Sequence, residues 1–390
     1  MYEILTQLLS ITNYKVIGVE MADDTITLDI TSTLDGAKCP RCGASCTNMH
    51  ENHPRTVQDL PIIGKACYLR FVRRRFFCSH CDKSFSEYLS FVQKHRDYTN
   101  RYQERIFHQV KENNITAVQR YEDLTYDQIE SIFLTEAKAR IPDNPFANLK
   151  RLGIDEISLR KGKQNFVLVL TNLDTAEVVD VLEKRTQDKL RTRLAQLTQQ
   201  ERSQIEEVAI DMWEPYSNVC EELLPNAHIT VDRFHVAKSV NEELNKLKNQ
   251  EKKQHPEVIK GAHYPLLKNQ EDLTDTQQEK LNQVYETCPT LKMAHRLKEC
   301  LRHIFEYHST KEKAIQRLQK WSRIAEEKHL FPKFLKTLSN WMDKIANYFH
   351  QRTTSGMVEG INNKIKLIKR RAFGFRNFGN FRLRVIVAFL

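Results

Sequence analysis

Leu152-Gly153-Ile154-Asp155, Val208-Ala209-Ile210-Asp211 and Ile229-Thr230-Val231-Asp232 are three short apolar runs, each ending on an aspartate. Apolar runs this short, bounded by polar segments, read as buried strands. Phe166-Val167-Leu168-Val169-Leu170 and Val178-Val179-Asp180-Val181-Leu182 raise the number to about five, with a polar helical segment at about 186–204 between the third and the fourth. The alternation predicts an α/β sheet. A carboxylate at a strand end is held on rigid backbone at the sheet's open edge, where such sheets place ligands. Asp155 and Asp211 brought together there make a negative pocket that calls for divalent cations, and Mg2+ suits carboxylate and water oxygens. Either aspartate alone is unremarkable, so a third acid is needed.

That acid is best sought in Ser355-Gly356-Met357-Val358-Glu359-Gly360-Ile361-Asn362-Asn363-Lys364-Ile365-Lys366. On a helix, Val358, Ile361, Ile365 and Ile368 form one apolar stripe, while Glu359, Asn362, Asn363 and Lys366 lie on another face. Glu359 is the sole acid of the last 32 residues, among Lys364, Lys366, Lys369, Arg370, Arg371, Arg376, Arg382 and Arg384. A carboxylate amid phosphate-binding cations repels phosphate but makes sense as a metal ligand; the plainer reading is a glutamate favoured by the helix dipole. Asp232-Arg233-Phe234-His235 follows the last strand, and Asp232 and His235 suit an auxiliary role on a phosphate. The plainer reading there is a capping aspartate beside a half-buried histidine.

Upstream, Val16-Ile17-Gly18-Val19 and Thr25-Ile26-Thr27-Leu28-Asp29-Ile30 flank Asp23-Asp24 and read as a β-hairpin. Cys39-Pro40-Arg41-Cys42 and Cys78-Ser79-His80-Cys81 are two zinc knuckles, with a β-hairpin looped out between them. Four cysteines without an open position make one structural zinc site: Cys39, Cys42, Cys78 and Cys81. Cys46, Cys67, His50, His53 and His80 read better as core thiols and surface imidazoles. Residues 65–81 carry five basic residues and no acid. Arg70, Arg73, Arg74 and Arg75, interleaved with Phe71, Phe76 and Phe77, point to nucleic acid. Residues 115–137 read as helix, turn and helix, although Asp127, Glu130 and Glu136 argue against strong phosphate contact there.

The chain has 390 residues, enough for two to four domains, with 60 Lys+Arg against 50 Asp+Glu. The surplus of +10 is concentrated at residues 65–81 and 359–390. No apolar run is long enough for a membrane span, and the first residues lack the pattern of a secretory signal. Nine cysteines, two pairs of them as C-x-x-C, suit metal in a reducing compartment. A cytoplasmic location is expected.

Taken together, CPRCG, CSHC, GIDEIS, VAIDMWEPY, ITVDRFHV and above all SGMVEGINNKIKLIKRRAFGFRNFGNFRLRV resemble the DDE transposases of bacterial insertion sequences, specifically the ISL-three family. The resemblance covers essentially the whole chain. It implies an α/β multidomain protein: an RNase H-like catalytic core with a large helical insertion, preceded by a small β-rich zinc ribbon and a helix-turn-helix-like DNA-binding region. The expected divisions are 1–95 for the hairpin and ribbon, 96–147 for the helices, 148–235 for the first part of the core, 236–350 for the insertion, and 351–390 for the glutamate helix and basic end. Asp155, Asp211 and Glu359 would hold two Mg2+ (or Mn2+). Asp232-x-x-His235 resembles a D-x-x-H signature of transposases with helical insertions. The resemblance further implies double-stranded DNA as partner, both terminal inverted repeats and target, a nucleoid-associated location when bound, and a homo-oligomer pairing two ends.

Two other readings compete. One is a zinc-ribbon regulator with a non-catalytic core; the other is an RNase H-like nuclease that cuts without strand transfer. A tyrosine recombinase is disfavoured because the last tyrosine, Tyr348, lies outside the basic C-terminal block.

Overall fold

The computed structural model describes residues 2–159, 165–307, 310–352, 356–375 and 377–390. The chain forms two compact units, Met1–Arg140 and Ile141–Leu390.

The first unit begins with α1 (Tyr2–Leu9), the hairpin β1 (Tyr14–Met21) and β2 (Thr25–Ser32), and the short pair β3 (Ala37–Lys38) and β4 (Ser45–Cys46). Two long strands follow, β5 (Met49–Ile62) and β6 (Lys65–Cys78), then β7 (Lys83–Ser86). The sheet order is β1-β2-β6-β5, with β7 also on β6. On β6 the period of two buries Cys67, Leu69 and Phe71 against Ile26, Leu28 and Ile30 of β2. The expected hairpin between the cysteine pairs is β5–β6, which turns through Ile63 (φ 50°) and Gly64 (φ 78°). Positive φ at both positions is the type I′ geometry that matches strand twist. Pro54 is tolerated because β5 is an edge strand.

Helices α2 (Asn100–Glu112), α3 (Ile115–Gln119) and α4 (Tyr126–Arg140) complete this unit. They include the helix, turn and helix expected at 115–137, and Phe107 of α2 stacks on Phe133 of α4 at 5.4 Å. Buried Asp59 of β5 accepts from Thr99 Oγ1 and from Arg101 Nε, each at 2.7 Å. That lock joins strands and helices into one compact unit, where the sequence suggested a division at 95/96. The helical segment also ends earlier than 147, because Phe146 and Leu149 are buried in the core of the second unit.

The second unit contains β8 (Arg151–Ser158), β9 (Phe166–Asn172), β10 (Val178–Leu182), α5 (Gln187–Ala195), α6 (Gln199–Gln204), β11 (Glu207–Ile210), α7 (Glu214–Leu223) and β12 (His228–Val231). The sheet order is β10-β9-β8-β11-β12: an antiparallel meander of three strands, then β11 parallel to β8 and β12 parallel to β11. Gly153 keeps β8 thin where Leu173 crosses it, since a Cβ there would meet Leu173 Cδ2 at 2.7 Å. A helical stretch follows: α8 (Arg233–Gln254), α9 (Pro256–Ile259), α10 (His263–Leu267), α11 (Asp275–Thr287), α12 (Pro289–Glu306), α13 (Lys311–Glu327), α14 (Pro332–Ala346) and α15 (Tyr348–Gln351). Last come α16 (Gly356–Arg371) and α17 (Phe378–Val387).

Both faces of this sheet are covered. Ile154, Leu168 and Leu170 face a core shared with α5, α7, α8 and the helical stretch. Ile157, Val167 and Val169 face Ile361 and Ile365 of α16 and Phe381 and Val385 of α17. The helical stretch is tied back to the sheet by Asn347, whose Nδ2 donates to Ile229 O at 2.7 Å. Among the described residues, no helix is long and apolar enough to cross a membrane.

Candidate active site and zinc centre

Cys39, Cys42, Cys78 and Cys81 converge, their Sγ atoms all within 4.8 Å of one another. Cys42 and Cys78 Sγ are 3.7 Å apart. Tetrahedral zinc with bonds of about 2.3 Å places sulfurs about 3.8 Å apart, so the donor set fits the ion. Gly43, at φ 74°, closes the first knuckle by donating its N–H to Cys39 O at 2.9 Å. Backbone N–H groups of Cys42 and Arg41 hold the Cys39 thiol below its usual range. Cys81 is pushed up to about 12, first by the Cys42 thiol and then by burial. Four thiolates this close need a cation between them. Cys46 and Cys67 are buried core thiols, and His50 and His53 flank Glu51 at the surface.

In the second unit, register explains how the aspartates are placed. Val208 pairs with Leu152 and Ala209 with Gly153, while Ile210 pairs with Val231. Carrying both registers forward sets Asp211 level with Asp155 on one side and with Asp232 on the other. Asp155 lies inside β8 rather than at its end, and alternation puts it on the Ile157 face, toward α16. There Asn362 Nδ2 donates to Asp155 Oδ2 at 2.5 Å. Glu359 sits three residues earlier, exposed in the first turn of α16. Among the described residues, Asp155, Asp211 and Glu359 do not gather their oxygens within 4.8 Å of one another.

His235 Nδ1 lies 3.1 Å from Asp211 Oδ1. Asp232 caps α8, its Oδ1 accepting the Phe234 N–H at 2.9 Å. The cap explains the D-x-x-H spacing locally: it starts the helix that brings His235 back over Asp211.

The basic residues divide into two kinds. Arg70 pairs with Asp29 at 2.6 Å and Glu20 at 3.1 Å, and Arg75 pairs with Glu51 at 3.0 Å. Arg74 is fully engaged: it donates to Glu87 at 2.8 Å, Ser32 at 3.0 Å and Leu34 O at 2.6 Å. Arg73 is half-buried, and its Nε meets no acceptor. On α16, Lys369 donates to Ser158 O at 2.6 Å and Lys364 to Ala388 O. Lys366, Arg370 and Arg371 are exposed, and Arg376 lies outside the described residues.

Asp180 carried no assignment in the sequence, being one acid within an apolar strand. It is buried and receives Arg193 Nε at 2.6 Å and Arg382 Nε at 2.8 Å, pinning α5 and α17 to β10. Asn362 was legible on the face of Glu359, but its partner was not.

A family model described as zinc-finger of transposase IS204/IS1001/IS1096/IS1165 matches residues 35–81. The chain is 28% identical over 388 residues to the transposase for insertion sequence element IS1001 of Bordetella parapertussis, covering 96% of this chain and 95% of that one. It is 29% identical over 261 residues to the transposase for insertion sequence element IS1557 of Mycobacterium tuberculosis, covering 60% and 58% of the two chains. A family model described as Transposase matches residues 152–385, more than half of the chain, from within β8 to within α17. A zinc-ribbon region followed by this matched span places the chain in the ISL-three family of transposases.

Proposed function

We propose that this transposase cleaves DNA at insertion-sequence ends and joins the liberated 3′-OH to target DNA, using an RNase H-like core in which Asp155, Asp211 and Glu359 hold Mg2+ or Mn2+. The observation that carries the reading is the register of β11 on β8, which, carried past Ala209–Gly153 to the residue just after β11, sets Asp211 level with Asp155, together with α16 docked on Asp155 through Asn362. Strand order β10-β9-β8-β11-β12 supports the fold assignment. Two carboxylates and the buried, unpaired Asn362 Oδ1 are hard oxygen donors, which fit such a cation. When bound, the metal supplies charge neutralisation at the phosphate and a more acidic attacking hydroxyl.

The chain's own residues supply the rest. In cleavage, water oxygen bonds to phosphorus as the P–O3′ bond breaks, leaving a 5′-phosphate and a 3′-OH. In joining, that 3′ oxygen attacks a target phosphodiester and expels the target's 3′ oxygen. His235, held against Asp211, acts as auxiliary by keeping a proton-carrying group beside the carboxylate. Asp232 assists by capping the helix that positions it. The zinc ribbon, with Arg73 as the arginine of the 70–75 run not committed to a carboxylate, recognises the element end, and Lys366, Arg370 and Arg371 bring α16 to the backbone. Two copies act on paired ends.

The test is a Mg2+-dependent assay on end-containing DNA with Asp155→Asn, Asp211→Asn and Glu359→Gln. Nicked and joined products should vanish in all three while end binding persists. Wild-type cleavage in any of them would sink the assignment, and nicking by the native chain without joining would favour a nuclease.

A further inference from the structure

We propose that Glu251, His255 and Cys288 form a second transition-metal site, taking Zn2+ and stapling the helical stretch independently of the ribbon. Their donor atoms, one oxygen, one nitrogen and one sulfur, all lie within 4.8 Å of one another. The four-cysteine centre meets the same measure. Tetrahedral zinc sets such donors about 3.3–3.8 Å apart, so side-chain movement alone can close the site.

The backbone explains the convergence. Glu251 stands in the last turn of α8 and His255 is the C-cap residue four positions on, its N–H donating to Glu251 O at 2.9 Å and so holding the two residues together at the helix end. Pro256 follows at once and begins α9. Cys288 lies between α11 and α12, its N–H bonded to Val284 O at 2.8 Å and Pro289 following it, and is 1% exposed. Both segments are anchored before any ion arrives, which lowers the cost of ordering the ligands.

The donor chemistry selects the metal. Thiolate with imidazole and carboxylate suits borderline zinc and disfavours Mg2+ or Ca2+. Three protein ligands leave one position for water, so this site exchanges more readily than the closed ribbon centre. Among the described residues Glu251 has no Lys or Arg ion-pair partner. A second acid-and-histidine cluster, Glu271, Glu299 and His303, differs in this respect: Arg302 reaches Glu271 at 2.5 Å and Glu299 at 3.0 Å, so a cation already fills it.

Metal content of the full-length protein, purified and then dialysed against a weak chelator, tests the proposal. Native protein should retain about two zinc per chain, and His255→Gln, Glu251→Gln and Cys288→Ser each about one. Cys39→Ser with Cys42→Ser should retain about one, held at the new site. Cobalt substitution distinguishes the sites: His255→Gln should lose one equivalent while the four-thiolate charge-transfer band remains. The proposal is overturned if native protein retains one zinc, or if His255→Gln binds as much metal as native protein with unchanged circular dichroism. These readouts use zinc and cobalt alone, so they stand or fall separately from DNA cleavage.

Discussion

Asn362 of α16 hydrogen-bonds Asp155 of β8, joining two residues 207 positions apart. It makes the glutamate helix and the first aspartate strand one rigid assembly. Asn362→Ala should lower cleavage by about 10–100-fold, the usual cost of losing a residue that orients a metal ligand. Mg2+ concentration for half-maximal activity should rise, while end-DNA binding stays near native. A native metal requirement would show that Asp155 does not depend on Asn362.

Zinc removal should act on the other unit. Cys39→Ser with Cys78→Ser removes the ion that closes the ribbon at the end of β6, and specific end binding should fall at least about tenfold. Circular dichroism in the helical region should change little, because the helices of the second unit carry most of that signal. Unchanged binding by a zinc-free ribbon would deny it a role in recognition.

Arg74 and Lys366 should behave differently although both are basic. Arg74 neutralises Glu87, which is buried; Arg74→Ala leaves that carboxylate unpaired and should cost about 2–4 kcal/mol in denaturant unfolding. Lys366 is exposed, and Lys366→Ala should leave stability within about 0.5 kcal/mol while reducing the salt slope of DNA binding by about 1. If Arg74→Ala changed only the salt slope, Arg74 would be a phosphate contact after all.

These contrasts show what the sequence could reveal. Short continuous apolar runs disclosed β8, β9, β10, β11 and β12, because a strand buried on both faces is a local apolar signal. C-x-x-C spacing located the ribbon for the same reason. Ion-pair partners were hidden, since Arg70–Asp29, Arg74–Glu87 and Asp180–Arg382 join residues remote in sequence. The basic run at 70–75 therefore looked like a uniform DNA-facing surface, yet the fold commits three of its four arginines to carboxylates. The length of β5 was also hidden: a hairpin was expected between the cysteine pairs, but His50, Glu51, Asn52, His53 and Pro54 show no alternation and join the strand through pairing with β6. The contacts that cross the suggested 95/96 division, Asp59 with Thr99 and Arg101, were hidden for the same reason.

Asp180 anchors the C-terminal helix. Asp180→Ala would leave Arg193 and Arg382 facing an emptied position between β10, α5 and α17. Both arginines keep some contact with water, which softens the penalty to about 2–4 kcal/mol in unfolding free energy. Proteolysis should reach α17 before the rest of the second unit. Native resistance of α17 in this variant would assign its docking to Phe381 and Val385 alone.

His295 gives the helical stretch an acid limit. Its imidazole is completely buried, and burial first, then the charge of Lys298, lower its pKa from 6.5 to about 4. Nδ1 is bonded to Tyr285 OH at 2.7 Å, and Nε2 has no hydrogen-bond partner. The unfolded chain therefore takes up a proton near pH 6.5 that the folded chain refuses until about pH 4. Between those values the unfolded state binds more protons, so stability must fall as pH falls. The contribution lost is roughly 3 kcal/mol across that window, since each pKa unit corresponds to about 1.4 kcal/mol. Urea unfolding at several pH values between 7 and 4 should show this decline, and His295→Gln should flatten it while lowering stability at pH 7. An identical pH slope in the variant would move the acid sensitivity to other groups, beginning with Glu299, whose neighbours Lys298 and Arg302 require its negative charge.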